Sequence, residues 1–357
     1  MDDKYEKAFQ ILNYYKNLVY PKVLTYLTFP KLPKEFSVPP KYKKYLDHHL
    51  EITNDYSKRM GKYLRATVLL LTYQAMGGKI NLGISTAAAM QLSEDWILVH
   101  DDFEDNSPER RGDKALHIKY SPPLAVNAGD SVINSMWAAL LDNFELLSKD
   151  KAIKIMQEFD DILARTTLGQ SVELSFIEEN KTRLSDEDWY FIADGKTSYY
   201  TVAGPIRLGA ILAGGKNSQL KLLTKFGKNL GRCFQLVDDI LDVTSDFAGL
   251  KKQIGNDIYE SKRTLILGHL MRNASTSDRK KIEKIINKPR SEKTSREVKF
   301  VLQKMNEYKS IDYARKKAIV YKIKAEQILK KDLDFLNVQP YRNNLETLMN
   351  FILERDR

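Results

Sequence analysis

The sequence predicts an all-α fold, and two observations support this prediction. Apolar residues recur at helical spacing through most of the chain, and no stretch shows convincing alternation of β-branched residues. The chain has 357 residues, which is enough for a sizeable core in one large domain or two smaller ones. Its content of 43% apolar and 29% charged residues is ordinary for a soluble globular protein.

The first part of the chain predicts four helices. Residues 3–28 form an amphipathic pattern, and a proline-rich connector follows it. Helices are expected next at 41–55 and 62–76, and a glycine pair ends the second of these. Residues 83–104 predict a helix in which three consecutive alanines permit close packing against a neighbour.

Longer helices are expected in the middle of the chain, and their predicted bounds are 124–147, 151–178, 186–212 and 218–243. The third should break near Gly204 and Pro205, because proline interrupts the backbone hydrogen bonds of a helix. Residues 106–123 and 245–260 are predicted as loops, and a loop as long as the second is often a lid over a site. Shorter, lysine-rich helices follow from residue 262, with a mobile connection at 287–295.

An acidic motif at the end of helix 83–104 is the main functional signal. The run QLSEDWILVHDDFEDNSPERRG places Asp101, Asp102 and Asp105 after apolar residues and before Arg110 and Arg111. Asp101 and Asp105 lie one helical turn apart on the same face. Carboxylate oxygens suit Mg²⁺, which commonly bridges to phosphates, and paired arginines bind phosphate oxygens. The motif predicts a diphosphate held through magnesium at the mouth of an apolar, helix-lined cavity.

A second acidic motif repeats this spacing far along the chain. The run QLVDDILD places Asp238, Asp239 and Asp242 among apolar residues of helix 218–243. Carboxylates that repel one another beside apolar residues are costly unless something neutralises them, and a shared metal–diphosphate cluster would do so. Two matching motifs make a chance origin the less favoured interpretation.

Two further sets of residues suggest anion binding. Lys62 and Arg65 open helix 62–76 three residues apart, so we expect them on one face, although a solvated helix start explains them equally well. Lys196, followed by Thr197, lies in the middle of helix 186–212, where an inward lysine needs an anionic partner.

Charge and composition limit the other functions. The net charge of +10 reflects lysine-rich helices, and without aromatic interleaving or a nucleic-acid module it does not predict nucleic-acid binding. The single cysteine, Cys233, excludes an internal disulfide. The N-terminal residues lack an apolar signal core, and no apolar run is long enough to span a bilayer, so we expect a cytoplasmic protein with at most peripheral membrane contact.

Several motifs together resemble the trans-isoprenyl diphosphate synthases, the family of farnesyl and geranylgeranyl diphosphate synthases. The resemblance covers residues 61–265 and rests, in order, on GKYLR, DDFED with RRG, HIKYSPPLAVNAGD, GQSVEL, GKT, FQLVDDILD and KQIGNDIYESKRT. It implies a single domain over 1–357, with a basic helical part at 266–357. It also implies a bundle of ten or more helices around a deep central cavity, and a homodimer. The implied reaction is the Mg²⁺-dependent condensation of isopentenyl diphosphate with an allylic diphosphate.

The resemblance also assigns roles to individual residues. Three Mg²⁺ ions per site would be held by the carboxylates Asp101, Asp102, Asp105, Asp238, Asp239 and Asp242. The allylic diphosphate would be contacted by Arg110, Lys196, Lys252 and Lys262. Isopentenyl diphosphate would be bound by Lys62, Arg65 and Arg111, while Thr197 and Gln235 would face the developing carbocation.

The sequence departs from the family pattern at two positions. Seven residues before Asp101 the family usually has histidine or glutamine, whereas this chain has Glu94. A carboxylate there would repel a diphosphate unless it were protonated or paired with Lys62 or Arg65, so Glu94 is left outside the predicted site. Ser261 stands where glycine is common, next to Lys262.

Product length is predicted from residues that precede the first acidic motif. Ser93, Trp96 and Ile97 lie below the metal site on the same helix, with Trp96 about 7.5 Å from Asp101 along the axis. A bulky ring there would close the cavity early, and an aromatic at this position resembles the archaeal type of geranylgeranyl diphosphate synthase. The expected main product is C20, with C15 as the alternative.

The sequence is compatible with two other functions. A terpene cyclase would share the fold and the first acidic motif, but it would not need a second diphosphate site such as Lys62, Arg65 and Arg111 provide. A non-catalytic partner subunit would typically have lost carboxylates, and all six are present here.

Overall fold

The computed structural model describes residues 3–30, 32–33, 35–244 and 254–353. Most of this part of the chain is helical, which confirms the all-α prediction. In chain order the helices are α1 Asp3–Tyr26, α2 Lys43–Lys58, α3 Leu64–Ala75, α4 Ile84–Glu104, α5 Leu116–Lys119, α6 Pro122–Leu141, α7 Asn143–Leu146, α8 Lys149–Glu178, α9 Asp186–Ala193, α10 Gly204–Leu212, α11 Asn217–Thr244, α12 Asn256–Tyr259, α13 Leu265–Asn273, α14 Thr276–Ile286, α15 Ser295–Glu307, α16 Ser310–Asp332 and α17 Tyr341–Leu353. None of the described helices is both long enough and apolar enough to cross a bilayer.

The chain forms two compact units. The first comprises Met1–Met156, Ile211–Gly214 and Val338–Asn344, and in it α4 packs against α1, α3 and α6. The second comprises Gln157–Ala210, Gly215–Asn337 and Leu345–Arg357, and in it α11 packs against α16. Each acidic motif therefore lies on a helix that is buried within its own unit.

Local sequence signals explain where several helices begin. Ser121 accepts a hydrogen bond from the Leu124 amide, and two prolines occupy the first positions of α6, where no amide donor is needed. Ser185 and Asp188 form a capping box at the start of α9. Thr294 and Glu297 form another at the start of α15.

Two predictions for the first unit are wrong in detail. The segment 106–123 is not simply a loop, because Glu109–Arg110 (β1) pairs with Asp113–Lys114 (β2) in a short antiparallel hairpin and α5 follows it. Helix α3 begins at Leu64 rather than at residue 62, because Tyr63 adopts a left-handed conformation with a φ of 57°. Lys62 therefore precedes the helix, and the expected shared helical face with Arg65 does not exist.

The predicted helix 186–212 is interrupted earlier than expected. Asp194–Ala203 forms a π-helical segment between α9 and α10, whereas the break was expected near Gly204 and Pro205. This segment packs closely on α11 at Gly231, which has no side chain to keep the two backbones apart. A Cβ atom added to Gly231 would lie only 2.4 Å from the Cα of Ser198. Gly227 permits the same approach to Ala203, where the corresponding distance is 2.5 Å. The π-helical segment carries Lys196 and Thr197, so these glycines place both residues beside the second acidic motif.

The later part of the chain is more regular than predicted. Within the expected loop 245–260, the described residues include the short helix α12. The expected mobile connection 287–295 contains a 3₁₀ turn, Arg290–Glu292, and a buried lysine, Lys293, whose ammonium group donates to the carbonyl oxygens of Ile258 and Tyr259. The lysine-rich helices are not all short, since α16 has 23 residues.

Candidate active site

The first acidic motif ends helix α4 as predicted. Asp105 follows the last helical residue, and its amide donates to the carbonyl oxygen of Asp101 at 2.8 Å. This hydrogen bond preserves the helical spacing of the two residues. Both are partly exposed, and 22% of the Asp101 side chain is accessible to solvent. Their carboxylates therefore stand one turn apart and remain within reach of a solvated cation.

Asp102 occupies a different environment from its neighbours. Its side chain is completely buried, and the Arg110 Nε lies 3.0 Å from both carboxylate oxygens, while Arg110 Nη2 donates to Oδ1. The Tyr56 hydroxyl also donates to Asp102, at 2.6 Å. Although burial lowers the pKa of Arg110, its hydrogen bonds to Asp102 raise that pKa above the usual value. Asp102 and Arg110 thus form a buried ion pair in which both carboxylate oxygens have partners.

A second ion-pair cluster lies beside α4 and includes Glu94. Glu94 Oε2 is 3.1 Å from Arg65 Nη1, and Glu94 Oε1 is 3.7 Å from Arg111 Nη2. Arg111 Nη1 also donates to the buried Asp95, at 3.0 Å. Burial raises the pKa of Asp95, and the charge of Arg111 opposes that rise. The pairing of Glu94 with Arg65 that the sequence left open is present.

The three residues predicted to limit product length have different surroundings. Ser93 is buried, and its hydroxyl donates to the Met90 carbonyl within the same helix. Ile97 and Trp96 are partly buried, and the Trp96 ring meets the His100 ring edge-on at 5.9 Å. Among the described residues the buried Trp96 indole nitrogen has no hydrogen-bond partner.

The three carboxylates of the second acidic motif differ in exposure, since Asp238 is exposed, Asp242 is partly buried and Asp239 is buried. Only 3% of Asp239 is exposed, and its Oδ1 accepts a hydrogen bond of 2.6 Å from the Gln235 amide. Asp242 Oδ2 accepts from the backbone amide of Asp257 at 3.0 Å, so the chain returns after α11 and brings a fourth aspartate to the cluster. Sequence reasoning placed Asp257 in the predicted loop 245–260 but gave it no role in the site, because it lies outside the repeated spacing of the two motifs.

Burial and mutual repulsion raise the pKa values of Asp239, Asp242 and Asp257. Burial, followed by the charge of Asp257, raises the pKa of Asp242 to about 7 and that of Asp239 well above its usual range. The pKa of Asp257 is also raised, chiefly by burial. A cation bound among these carboxylates would displace the protons they retain and supply the missing charge.

The residues of the second unit fit a magnesium ion bound together with a substrate. The Asp239 Oδ2 atom is buried and has no hydrogen-bond partner among the described residues. A bound cation would give this oxygen a partner. In the described part of the chain no three potential ligand side chains form a ready-made metal cage. Magnesium typically keeps several waters and uses substrate phosphates as ligands, so such a cage is not required.

Basic residues adjoin this cluster. Lys262 lies 3.2 Å from Asp257 and 2.9 Å from Glu260. The preceding residue, Ser261, adopts a left-handed conformation with a φ of 61°, in which glycine would be unstrained. Its hydroxyl donates to the Ile286 carbonyl at 2.7 Å and contacts the ammonium group of Lys293. These contacts hold the serine in place and, with it, the segment that carries Lys262.

The π-helical segment contributes the remaining predicted residues. Lys196 lies 3.1 Å from Glu173, a buried carboxylate within the GQSVEL motif to which sequence reasoning assigned no role. Although burial raises the pKa of Glu173, the charges of Lys196 and Lys262 lower it below the usual value. The Thr197 hydroxyl donates to the Gln235 side chain at 2.6 Å. Since Gln235 in turn donates to Asp239, Thr197 is linked to the second acidic motif through one side chain. Lys252 lies outside the described residues.

Comparisons with known proteins identify the family of the chain. The polyprenyl synthetase family profile matches residues 47–305. A geranylgeranyl diphosphate synthase of Sulfolobus acidocaldarius is 30% identical over 278 residues, which cover 78% of this chain and 80% of that protein. A short chain isoprenyl diphosphate synthase of Methanothermobacter thermautotrophicus is 29% identical over 296 residues, which cover 83% of this chain and 87% of that protein.

The structural comparison extends over almost the whole chain. The crystal structure of a geranylgeranyl pyrophosphate synthetase from Pyrococcus horikoshii superimposes with a TM-score of 0.84 and 28% sequence identity. The alignment covers 99% of this chain and 100% of that chain. The fold is accordingly the all-α type I fold of the isoprenoid synthases. The chain belongs to the polyprenyl synthetase family and is a prenyltransferase of the trans-isoprenyl diphosphate synthase type.

Proposed function

We propose that the protein condenses isopentenyl diphosphate with dimethylallyl, geranyl and farnesyl diphosphates and mainly releases geranylgeranyl diphosphate, with farnesyl diphosphate as a shorter alternative product. The observation that carries this proposal is the carboxylate cluster of the second acidic motif and Asp257, which lies beside Lys262 and in which one buried oxygen of Asp239 has no partner among the described residues. The names of the relatives from Sulfolobus acidocaldarius and Pyrococcus horikoshii support the C20 product.

Carboxylates of both acidic motifs are proposed to hold three Mg²⁺ ions on the allylic diphosphate. In the first motif, Asp101 and Asp105 are the more accessible pair, and Asp102 would join them only if its contacts with Arg110 were rearranged. In the second motif, Asp238 would bind an ion with support from Asp239 and Asp242. When bound, the ions would neutralise the negative charge that develops on the departing diphosphate.

Basic and polar side chains are proposed to act on the allylic substrate around these ions. Lys196 and Lys262 would contact the diphosphate, together with Arg110 and Lys252. Each of the first two is paired with a buried carboxylate in the structure, which keeps it charged and oriented before substrate arrives. Thr197 and Gln235 would direct their oxygen dipoles toward the allylic cation, since their mutual hydrogen bond fixes the orientation of both.

Isopentenyl diphosphate is proposed to bind at Lys62, Arg65 and Arg111. Its double bond would attack the allylic cation in a site from which apolar side chains exclude water. The new carbon–carbon bond leaves a cation that loses a proton, and the departing diphosphate can accept that proton. No side-chain base is needed for this step.

The assembly of the protein is also a proposal. We expect one catalytic domain over residues 1–357, acting as a homodimer, because the trans-isoprenyl diphosphate synthases that the sequence resembles usually have this organisation.

An assay with labelled isopentenyl diphosphate tests the proposed reaction. The protein would be incubated with C5, C10 or C15 allylic primers, with and without Mg²⁺, and the products would be sized by chromatography. We expect C20 product with magnesium and none when the metal is chelated. Incubation with geranylgeranyl diphosphate alone should give no cyclised hydrocarbon. A cyclised product would indicate a terpene cyclase, and inactivity with every primer would indicate a non-catalytic partner subunit.

Replacement of Trp96 by alanine is expected to lengthen the product beyond C20. The indole ring lies about 7.5 Å along α4 from Asp101, so its removal would extend the space available to the growing chain. Chain lengths of the wild type, Trp96→Ala and the surface control Tyr45→Ala would be compared under identical conditions. An unchanged product distribution in Trp96→Ala would exclude this residue as the limit on chain length.

A further inference from the structure

We infer that Glu94 limits the affinity of the enzyme for isopentenyl diphosphate, because its carboxylate occupies the arginines that this substrate must use. The inference rests on the proposed function, which places isopentenyl diphosphate at Arg65 and Arg111. It adds that this chain carries a built-in competitor for that diphosphate, which the substrate must displace before it binds.

The position of Glu94 relative to the two arginines is that of a small bridging anion. One carboxylate oxygen lies 3.1 Å from Arg65 Nη1, and the other lies 3.7 Å from Arg111 Nη2. All three side chains are largely buried, with 20% of Arg65, 13% of Glu94 and 12% of Arg111 exposed. Limited solvent access strengthens these attractions, and it would equally strengthen the repulsion between Glu94 and an incoming diphosphate.

Arg111 does not depend on Glu94 for its orientation. Its Nη1 atom donates to the Tyr56 carbonyl at 2.6 Å and to Asp95 at 3.0 Å. Asp95 is itself held by the Ser57 hydroxyl at 2.6 Å and by the Gln91 amide at 3.2 Å. The 3.7 Å separation from Glu94 is too long for a hydrogen bond. Removal of the Glu94 charge should therefore leave Arg111 in place and remove one of the two carboxylates that offset its positive charge, so that it attracts the substrate more strongly.

The opposite role, in which Glu94 positions Arg65 for the substrate, makes a contrary prediction. If the Arg65–Glu94 pair served to orient Arg65, loss of the carboxylate would disorder that guanidinium and weaken substrate binding. If the pair competes with the substrate, loss of the carboxylate would strengthen binding. The direction of the change in affinity therefore separates the two roles.

Two substitutions of Glu94 test the inference. Glu94→Gln keeps the shape of the side chain and removes its charge, while Glu94→Ala removes both, so a gain shared by the two variants is due to the charge. Glu145→Gln, on the exposed surface of α7, is the matched control for the change in net charge. Calorimetric titration with isopentenyl diphosphate in the absence of an allylic substrate gives the affinity directly, and steady-state assays give KM for each substrate.

We expect both Glu94 variants to bind isopentenyl diphosphate about tenfold more tightly than the wild type, with a parallel fall in its KM. The KM for the allylic diphosphate should stay within about twofold of the wild-type value, and Glu145→Gln should match the wild type. Unchanged or weaker binding in both variants would overturn the inference. A change confined to the KM for the allylic diphosphate would also overturn the inference, because it would mean that Glu94 and the two arginines act on the allylic substrate. The proposed function fails separately, if the wild type condenses isopentenyl diphosphate with none of the primers.

Discussion

Replacement of Asp101 by asparagine is expected to lower kcat/KM by about 10³-fold or more. Asparagine keeps the size of the side chain and removes the charge that would hold a cation on the allylic diphosphate. Asp105, one turn away, cannot substitute for it, because a single carboxylate gives a cation much weaker binding. Steady-state assays at several Mg²⁺ concentrations would measure the loss of kcat/KM. Part of the lost kcat/KM should be recovered at high Mg²⁺ concentration.

A surface variant controls for the change in charge. Asp47→Asn removes an exposed carboxylate that pairs with Lys43 at 2.6 Å, so its activity should equal that of the wild type. If Asp101→Asn retained wild-type kcat/KM at every metal concentration, the proposed metal site on the first motif would be wrong.

Replacement of Arg110 by glutamine is expected to lower the free energy of unfolding by about 3–5 kcal/mol. The completely buried Asp102 would lose the guanidinium that binds both of its oxygens and keep its hydrogen bond from Tyr56. A buried carboxylate without its ion-pair partner carries a large desolvation cost. Denaturant-induced unfolding of the wild type and the variant would measure the difference.

The double variant Arg110→Gln, Asp102→Asn separates charge from packing. Because it removes both charges of the pair, it should recover most of the lost stability. Arg296→Gln, on the exposed surface of α15, is the matched control and should change stability by less than about 0.5 kcal/mol. Equal stabilities of wild type and Arg110→Gln would mean that the buried pair does not contribute to the fold.

The sequence was a reliable guide to elements whose signals are local. Helix α4 was predicted to within one residue, because its apolar periodicity and its alanines act within the helix itself. The spacing of Asp101 and Asp105 followed from helical geometry, and the structure retains it. The pairing of Glu94 with Arg65 was among the alternatives, because a carboxylate beside a diphosphate would be repelled unless it were protonated or paired with a nearby cation.

Other features depend on residues that are distant in sequence. The pairing of Asp102 with Arg110 requires the hairpin of β1 and β2, which carries Arg110. The local sequence did not predict this hairpin. Asp257 joins Asp242 only because the chain turns back after α11. The π-helical segment follows from close packing against Gly227 and Gly231, which intrinsic helix propensity does not reveal.

The all-α class and the two triplets of aspartates are properties of the sequence, because periodicity and spacing encode them within a few helical turns, and the family followed from the resemblance of several ordered motifs. The protonation and pairing of those aspartates are properties of the folded protein. Asp101 and Asp105 stay partly exposed, Asp102 is neutralised by Arg110, and Asp239 is buried with an unpartnered oxygen. Desolvation and long-range partners set these differences, and both arise only when the chain has folded.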